Sequence, residues 1–338
     1  MSPKKMDIQF QKFGVIGGGA WGTALAQTLA CAGRDVTLWT FEKNCAEAIN
    51  TQHENILYLP GVALDHNIKA SSHFADLGNV DAVLAVAPAQ HMRATLKAFA
   101  PHAKKSLPVI LCSKGIELST QSFMTEVLAD VLPGSIPAVL SGPSFAIDVV
   151  KGLPTAVTLA VKEKKLGKAL ATAIASPSFR PYLRDDLLGA EIGGAVKNVL
   201  AIACGMVLGK GLGKSAHASL IARGFAEMTR LGAALGANPE TLTGLCGLGD
   251  LVLTCSSELS RNMSCGLALG EGKSLDEIMG GRTAVTEGVA TAPVLLKLAK
   301  RAGVEIPICA AVAAILADKV SVDEAIAGLL SRERKVED

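Results

Sequence analysis

Residues 12–22, K-F-G-V-I-G-G-G-A-W-G, carry the reading on which the fold turns. Phe13, Val15 and Ile16 make an apolar run that reads as a buried strand. The run breaks into Gly17, Gly19 and Gly22, and an Ala/Leu-rich helical pattern, T-A-L-A-Q-T-L-A, starts at Thr23. G-x-G-x-x-G between a strand and a helix is the context a dinucleotide site requires. The glycines permit a tight turn, close approach of backbone to a pyrophosphate, and close helix–strand packing. The helix start offers unpaired N–H groups and the positive end of a dipole to the anion. In a chain with 34 glycines the pattern alone is weak, and its flanking elements give it weight.

Outward from this turn, residues 35–39 (D-V-T-L-W) read as a second strand. Glu42 follows about 20 residues past the glycines, where a carboxylate can grip the ribose hydroxyls of NAD. The plain alternative is a surface Glu opening the next helix. Phe41 offers a flat face for an adenine, and no Arg stands there to pair a 2′-phosphate, which favours NAD over NADP, although Lys43 is close. Short apolar runs at 81–87, 107–112 and 137–140 alternate with helical patterns near 89–100 and 120–132. Two more strand candidates, 155–161 and 179–183, flank a helix at 163–175. Such alternation predicts a mostly parallel sheet with both faces covered.

Ligands of such sheets bind beyond the carboxyl ends of the strands. That singles out the glycine turn, Pro88, Ser113-Lys114-Gly115 and Gly142-Pro143-Ser144, with Lys114 and Ser144 expected on the cofactor's edge. Ser144 opens a helical stretch, either as a plain N-cap or as part of an anion site. Lys114 is otherwise a solvated loop lysine.

From about Asp186 the texture changes. Helical spacing of Ala, Gly and Leu runs through 187–208, 216–235, 251–269, 286–302 and 310–316, so an all-helical second domain starts near 185–192. The tail at 332–338 is charged.

Bulk properties narrow the function. The 338 residues allow two domains and a sizeable core; 49% are hydrophobic, 19% charged and only 4% aromatic. A net charge of +2 gives no basic field for nucleic acid. The eight cysteines form no C-x-x-C pair, and the six histidines show no metal-ligand spacing, so no metal is expected. No uncharged apolar run reaches membrane-spanning length (198–209 and 306–317 are too short), and no apolar leader precedes the first strand. A cytoplasmic protein with reduced thiols is expected.

Lys197 is the most unusual lysine. Between Asp186 and Lys210 only Glu191 and Lys197 are charged, and Gly193 and Gly194 lie one helical turn before Lys197. Glycine inside a helix costs roughly 1 kcal/mol relative to alanine, so a pair needs a reason. Small neighbours let another element or a ligand come close, and a desolvated lysine with a depressed pKa can exchange a proton near neutrality. Tight packing with Lys197 snorkelling to water is the competing account. Asn198 is a satisfied core amide or a ligand contact. In residues 244–262 a glycine-rich turn runs into Asp250, which is an N-cap, a partner for Lys197 or a substrate contact, with Thr254 on the same face. Ser260-Arg261-Asn262 presents a guanidinium suited to phosphate or, more plainly, a surface arginine.

These residues resemble a known family. G-x-G-x-W-G-T-A-L-A, S-K-G-I-E (113–117), G-P-S-F-A (142–146), A-E-I-G-G-A-V-K-N (190–198), G-L-G-D-L-V-L-T-C (247–255), S-R-N (260–262) and V-T-E-G-V-A-T (285–291) together look like NAD(P)-dependent glycerol-3-phosphate dehydrogenase, in order over nearly the whole chain. The resemblance implies an α/β fold: a Rossmann-type mostly parallel sheet domain (8–188) followed by an all-helical substrate and catalytic domain (189–331). It also implies a cytosolic homodimer that reversibly reduces dihydroxyacetone phosphate to sn-glycerol 3-phosphate, feeding glycerophospholipid synthesis. NAD is the implied cofactor, with NADP as the alternative, and a small phosphate compound the substrate.

Carried over by position, Lys197 would be the proton donor and acceptor, with Lys114 and Asp250 setting its pKa and position. Gly142, Ser144, Lys114, Asn198, Asp250, Thr254, Ser260, Arg261 and Asn262 would line the substrate, with Arg261 and the Ser144 helix start holding its phosphate. Gly17, Gly19, Ala20, Trp21, Gly22, Phe41, Lys114, Ala146, Arg261, Val285 and Glu287 would line the dinucleotide. Two positions depart from the pattern. Phe41 stands where bacterial members often carry Arg or His, and Ser215 where Asn is more usual. The rival readings are a β-hydroxyacid dehydrogenase acting on a carboxylate substrate, and a nicotinamide-sensing protein without turnover.

Overall fold

The apolar run becomes β1 (Lys12–Ile16), buried after its first residue, and the glycine turn leads into α1 (Ala20–Cys31). Gly17 adopts φ 120°, and a Cβ on Gly22 would lie 1.8 Å from the Gly17 carbonyl oxygen, so neither position can hold a side chain without backbone movement. The computed structural model describes residues 9–280 and 286–333. They separate into two units. The first extends to Ala87 and includes His91–Ser113 and Met124–Leu187. The second takes Pro88–Gln90, Lys114–Phe123 and the chain from Leu188. A single cut near 188 therefore leaves two short segments on the wrong side.

After α1 the first unit continues with β2 (Asp35–Trp39), α2 (Lys43–Gln52) and a hairpin of β3 (Glu54–Asn55) with β4 (Leu59–Ala63). Then come β5 (Ile68–Ser71), β6 (Ala82–Ala85), α3 (Ala89–Phe99), β7 (Pro108–Leu111) and α4 (Met124–Val131). The unit closes with β8 (Ile136–Ser141), α5 (Ala146–Val150), β9 (Thr155–Ala160), α6 (Lys164–Ile174) and β10 (Phe179–Arg184). Eight strands form one sheet in the order β10-β9-β8-β7-β6-β1-β2-β5. Neighbours are parallel except β8 against β9. Every residue of β6 and β7 is buried, as a sheet covered on both faces requires.

The second unit is helical: α7 (Leu187–Gly209), α8 (Gly213–Leu235), α9 (Pro239–Leu242), a π-helical turn at Leu245–Gly249, and α10 (Asp250–Cys255). It continues through α11 (Arg261–Gly270), α12 (Leu275–Gly280), α13 (Glu287–Ala302), α14 (Pro307–Leu316) and α15 (Val322–Leu330). The fold class is thus the α/β sheet unit followed by a helical unit that the sequence indicates. Helices α7 and α11 meet backbone to backbone: a Cβ on Gly205 would lie 2.1 Å from the Met263 carbonyl oxygen, and one on Gly266 1.9 Å from that of Ile202. By length and composition α7 could cross a membrane, but it is mostly buried among its own neighbours. Glu191 and Lys197 interrupt its apolar pattern, so it does not read as an uncharged run.

Several boundaries differ from expectation. The apolar run 251–269 is two helices, because the chain turns at Ser256 and restarts at an N-cap on Ser260, whose Oγ accepts from Met263 N. The strands at 54–71 are too short and too broken by Pro60, Gly61 and Asn67 to show a period. Helix α15, beyond the expected helical runs, opens on a capping box between Ser321 and Glu324. Residues 334–338 of the charged tail lie outside the described residues.

Candidate active site

In the second unit, Lys197 projects from α7 and is only 6% exposed. Its Nζ donates to Asp250 Oδ1 at 2.6 Å and to Thr254 Oγ1 at 2.7 Å. The other carboxylate oxygen, Asp250 Oδ2, accepts from Lys114 Nζ at 2.7 Å, and Asp250 itself is 1% exposed. Thr254, one helical turn after Asp250, also donates to Asp250 Oδ1 at 3.2 Å. The glycine ahead of Lys197 makes this possible. A Cβ on Gly193 would lie 2.3 Å from the Cys246 carbonyl oxygen, so the turn that delivers Asp250 rests directly on the backbone of α7. Gly193→Ala should therefore push that turn away, lowering stability by about 1–3 kcal/mol as overpacking does. Thermal unfolding would measure the loss, and an unchanged melting temperature would contradict the packing argument.

Two ammoniums face one carboxylate, which leaves a buried excess of positive charge. Burial, helped by the Lys114 ammonium, pushes the Lys197 amine down to about 8 against the opposing pull of Asp250. Burial would raise the Asp250 carboxyl, but the Lys114 and Lys197 ammoniums outweigh it and hold the group below the usual carboxylate range. Asp250 thus stays ionised, while Lys197 can gain or lose a proton close to neutrality. The snorkelling account of Lys197 is overturned, because its amine is enclosed and paired. Gly249 occupies the cap position and Asp250 is the first helical residue, so Asp250 is not an N-cap.

A ladder of amides runs beside this cluster. Asn198 Nδ2 donates to the Lys114 carbonyl at 2.9 Å, and Asn262 Nδ2 donates to Asn198 Oδ1 at 3.0 Å. Gly288 N, in the first turn of α13, donates to Asn262 Oδ1 at 2.9 Å. Asn198 is therefore a satisfied core amide that also fixes the backbone of Lys114, and Asn262 is tied in the same way. Next to Gly288, Glu287 Oε1 accepts from Ala89 N at 3.0 Å, while its buried Oε2 has no hydrogen-bond partner. Burial raises the Glu287 carboxyl, with Ala89 N–H and the Arg261 guanidinium pulling the other way. Arg261 is exposed as the first residue of α11, while Ser260 is used as its cap. Val285 lies outside the described residues.

The remaining expected residues belong to the first unit. The glycine turn, Phe41 and Gly142 all follow the carboxyl ends of strands that run the same way, β1, β2 and β8. Gly19 is the N-cap of α1, with no side-chain cap and no atom within 4 Å of a Cβ placed there. Beside it Trp21 Nε1 is buried without a hydrogen-bond partner. An open helix start with an unpaired indole N–H fits a dinucleotide, whose pyrophosphate would take the free N–H groups. Phe41 is 80% exposed, a flat apolar face open to an adenine. Ala146 is the first residue of α5, which packs on α1. Ser144 differs from expectation. Phe145 is the cap of that five-residue helix, and Ser144 Oγ instead donates to the Gly142 carbonyl at 3.1 Å, closing the turn after β8. Among the described residues, no group of three or more His, Cys, Asp or Glu could hold a metal.

Known proteins resemble this chain over nearly its whole length. The family model for the N-terminus of NAD-dependent glycerol-3-phosphate dehydrogenase matches residues 12–167, and that for its C-terminus matches 186–327. Glycerol-3-phosphate dehydrogenase (NAD(P)+) of Maricaulis maris is 66% identical over 324 residues, covering 96% of this chain and 97% of that one. The protein of that name from Caulobacter vibrioides is 63% identical over 330 residues, covering 98% and 100%. A crystal structure of glycerol-3-phosphate dehydrogenase from Coxiella burnetii superposes with a TM-score of 0.91 at 37% identity, covering 96% of this chain and 99% of that one.

Proposed function

This chain belongs to the NAD-dependent glycerol-3-phosphate dehydrogenase family, and from that premise we propose how it works: it reversibly reduces dihydroxyacetone phosphate to sn-glycerol 3-phosphate, with Lys197 exchanging the proton. It is an NAD(P)-dependent oxidoreductase whose substrate is a small phosphate compound. The observation that carries the proposal is the buried Lys197–Asp250–Lys114 cluster.

When bound, the nicotinamide supplies the hydride to C2 of the ketone, or accepts it in reverse. The chain's own residues handle charge and position. Negative charge grows on the C2 oxygen during reduction, where the Lys197 ammonium neutralises it and then releases its proton to that oxygen. Asp250 keeps Nζ aimed and stays ionised throughout. Lys114, held at its backbone by Asn198, adds a second positive charge. Arg261 supplies the planar guanidinium that a phosphate prefers, and fixing the phosphate orients the carbonyl for reaction. We further propose a cytoplasmic homodimer whose product feeds glycerophospholipid synthesis.

The test is oxidation of NADH and NADPH by the purified protein with dihydroxyacetone phosphate, against a panel of 2-keto and 3-keto carboxylates. Coenzyme oxidation with the phosphate ketone alone is expected. Preference for a carboxylate would replace this reading with that of a β-hydroxyacid dehydrogenase.

A further inference from the structure

A buried hydrogen-bond relay in the first unit links the glycine turn to the acidic residue after β2. Asn55, fully buried in the short hairpin, donates through Nδ2 to the Gly18 carbonyl at 2.8 Å and to Thr23 Oγ1 at 2.7 Å. Its Oδ1 accepts from Tyr58 N at 3.1 Å and from Cys45 Sγ at 3.4 Å. The Tyr58 hydroxyl then donates to Glu42 Oε1 at 2.8 Å. One backbone bond and the Thr40 side chain close the loop: Gly17 N donates to the Trp39 carbonyl, Thr40 Oγ1 donates to the Glu42 carbonyl, and a Cβ on Gly18 would lie 2.4 Å from Thr40 Cγ2. The end of β2 is thus locked to the turn that would hold the pyrophosphate.

A glutamate side chain on a surface normally loses its orientation to rotamer freedom. Here one oxygen is pinned, and Oε2 accepts no hydrogen bond from the described residues. The carboxylate is left with acceptor capacity at the place where an adenosine ribose presents its 2′- and 3′-hydroxyls. A 2′-phosphate there would bring like charge against it. The pinning is itself stable, because the hydrogen bond to Glu42 and burial hold the Tyr58 phenol up at about 12, so the hydroxyl remains a donor. Neither Asn55 nor Tyr58 carries a sequence signal for this role.

We infer that Tyr58 and Asn55 are positioning residues that hold the Glu42 carboxylate as the reader of the coenzyme's ribose, and that this arrangement selects NAD over NADP. The inference rests on the dinucleotide site of the proposed function but not on the identity of the ketone.

Calorimetric titration of the full chain with ADP-ribose and with its 2′-phosphorylated form tests it without any turnover. Wild-type protein should bind ADP-ribose at least about tenfold more tightly, the scale of one hydrogen bond to a charged group. Glu42→Gln should remove most of that discrimination. Tyr58→Phe should reduce it by about threefold to tenfold, chiefly by weakening ADP-ribose, and the ratio of kcat/KM for NADH over NADPH should move in parallel. The double variant should discriminate no worse than Glu42→Gln alone, because Tyr58 acts through Glu42. Equal wild-type affinities, an unchanged ratio in Tyr58→Phe, additive losses in the double variant, or equal weakening of both ligands would each overturn the inference. Discrimination without turnover of dihydroxyacetone phosphate would sink the proposed reaction and leave this inference standing.

Discussion

Lys197→Ala is expected to lower turnover with dihydroxyacetone phosphate by about 10²–10⁴-fold, the range a positioned general acid contributes. Coenzyme binding should be largely retained, because the glycine turn and the ribose-reading carboxylate belong to the other unit. Folding should survive as well, since Asp250 keeps its pairing with Lys114 at 2.7 Å when the amine of Lys197 is removed. Steady-state kinetics together with an NADH titration of the same preparation separates the two effects. Lys197→Arg sharpens the test. Arginine keeps the positive charge but cannot release a proton in the working pH range, so it should not rescue turnover. Near-normal rates in the alanine variant, or full rescue by arginine, would remove Lys197 from the proton step.

Asp250→Asn should act on the same step through the pH profile. With the Lys197 amine at about 8 in the wild type, ketone reduction needs the ammonium and should fall as pH rises through that value. Alcohol oxidation needs the free amine and should rise across the same interval. Asp250 pulls the Lys197 pKa up against burial, so removing its charge must lower that pKa further. Both limbs should then move to lower pH. Reduction at neutral pH should drop steeply, while oxidation becomes competent at pH values where the wild type is slow. Rate–pH profiles in both directions measure the shift; limbs that stay in place would mean that Asp250 does not control the lysine. Asp250→Ala should be harsher, because it removes the hydrogen-bond acceptor as well as the charge and leaves the buried Lys197 ammonium and the half-buried Lys114 ammonium facing an apolar gap, a loss of about 3–5 kcal/mol in comparable buried pairs.

The site was only partly legible in the chain. Lys197 stood out because charge is rare in α7 and because Gly193 precedes it by one turn. The reason for that glycine could not be read locally: it accommodates the Cys246 carbonyl, more than fifty positions later. Asp250 followed a glycine-rich turn, so a cap and an ion-pair partner were equally good readings until the π-helical turn placed Gly249 at the cap. Ser144 misled for a related reason. A serine ahead of an apolar run has the composition of a cap, but the turn after β8 used its hydroxyl first. Glu287 was recognised only through family resemblance, since an acidic residue in a first helical turn is otherwise ordinary.

The chain alone determined the alternation of strand and helix, the glycine turn, the change to helices near residue 186 and the candidate lysine. Each of these depends on neighbours within a few positions, through strand periodicity, helix spacing or the sterics of glycine. Which carboxylate meets Lys197, that Lys114 shares it, and that the Tyr58 hydroxyl pins Glu42 follow from tertiary packing. Those pairings join segments between 16 and 136 positions apart. Proximity of that kind is set by how helices and strands pack, and no local pattern of residues encodes it.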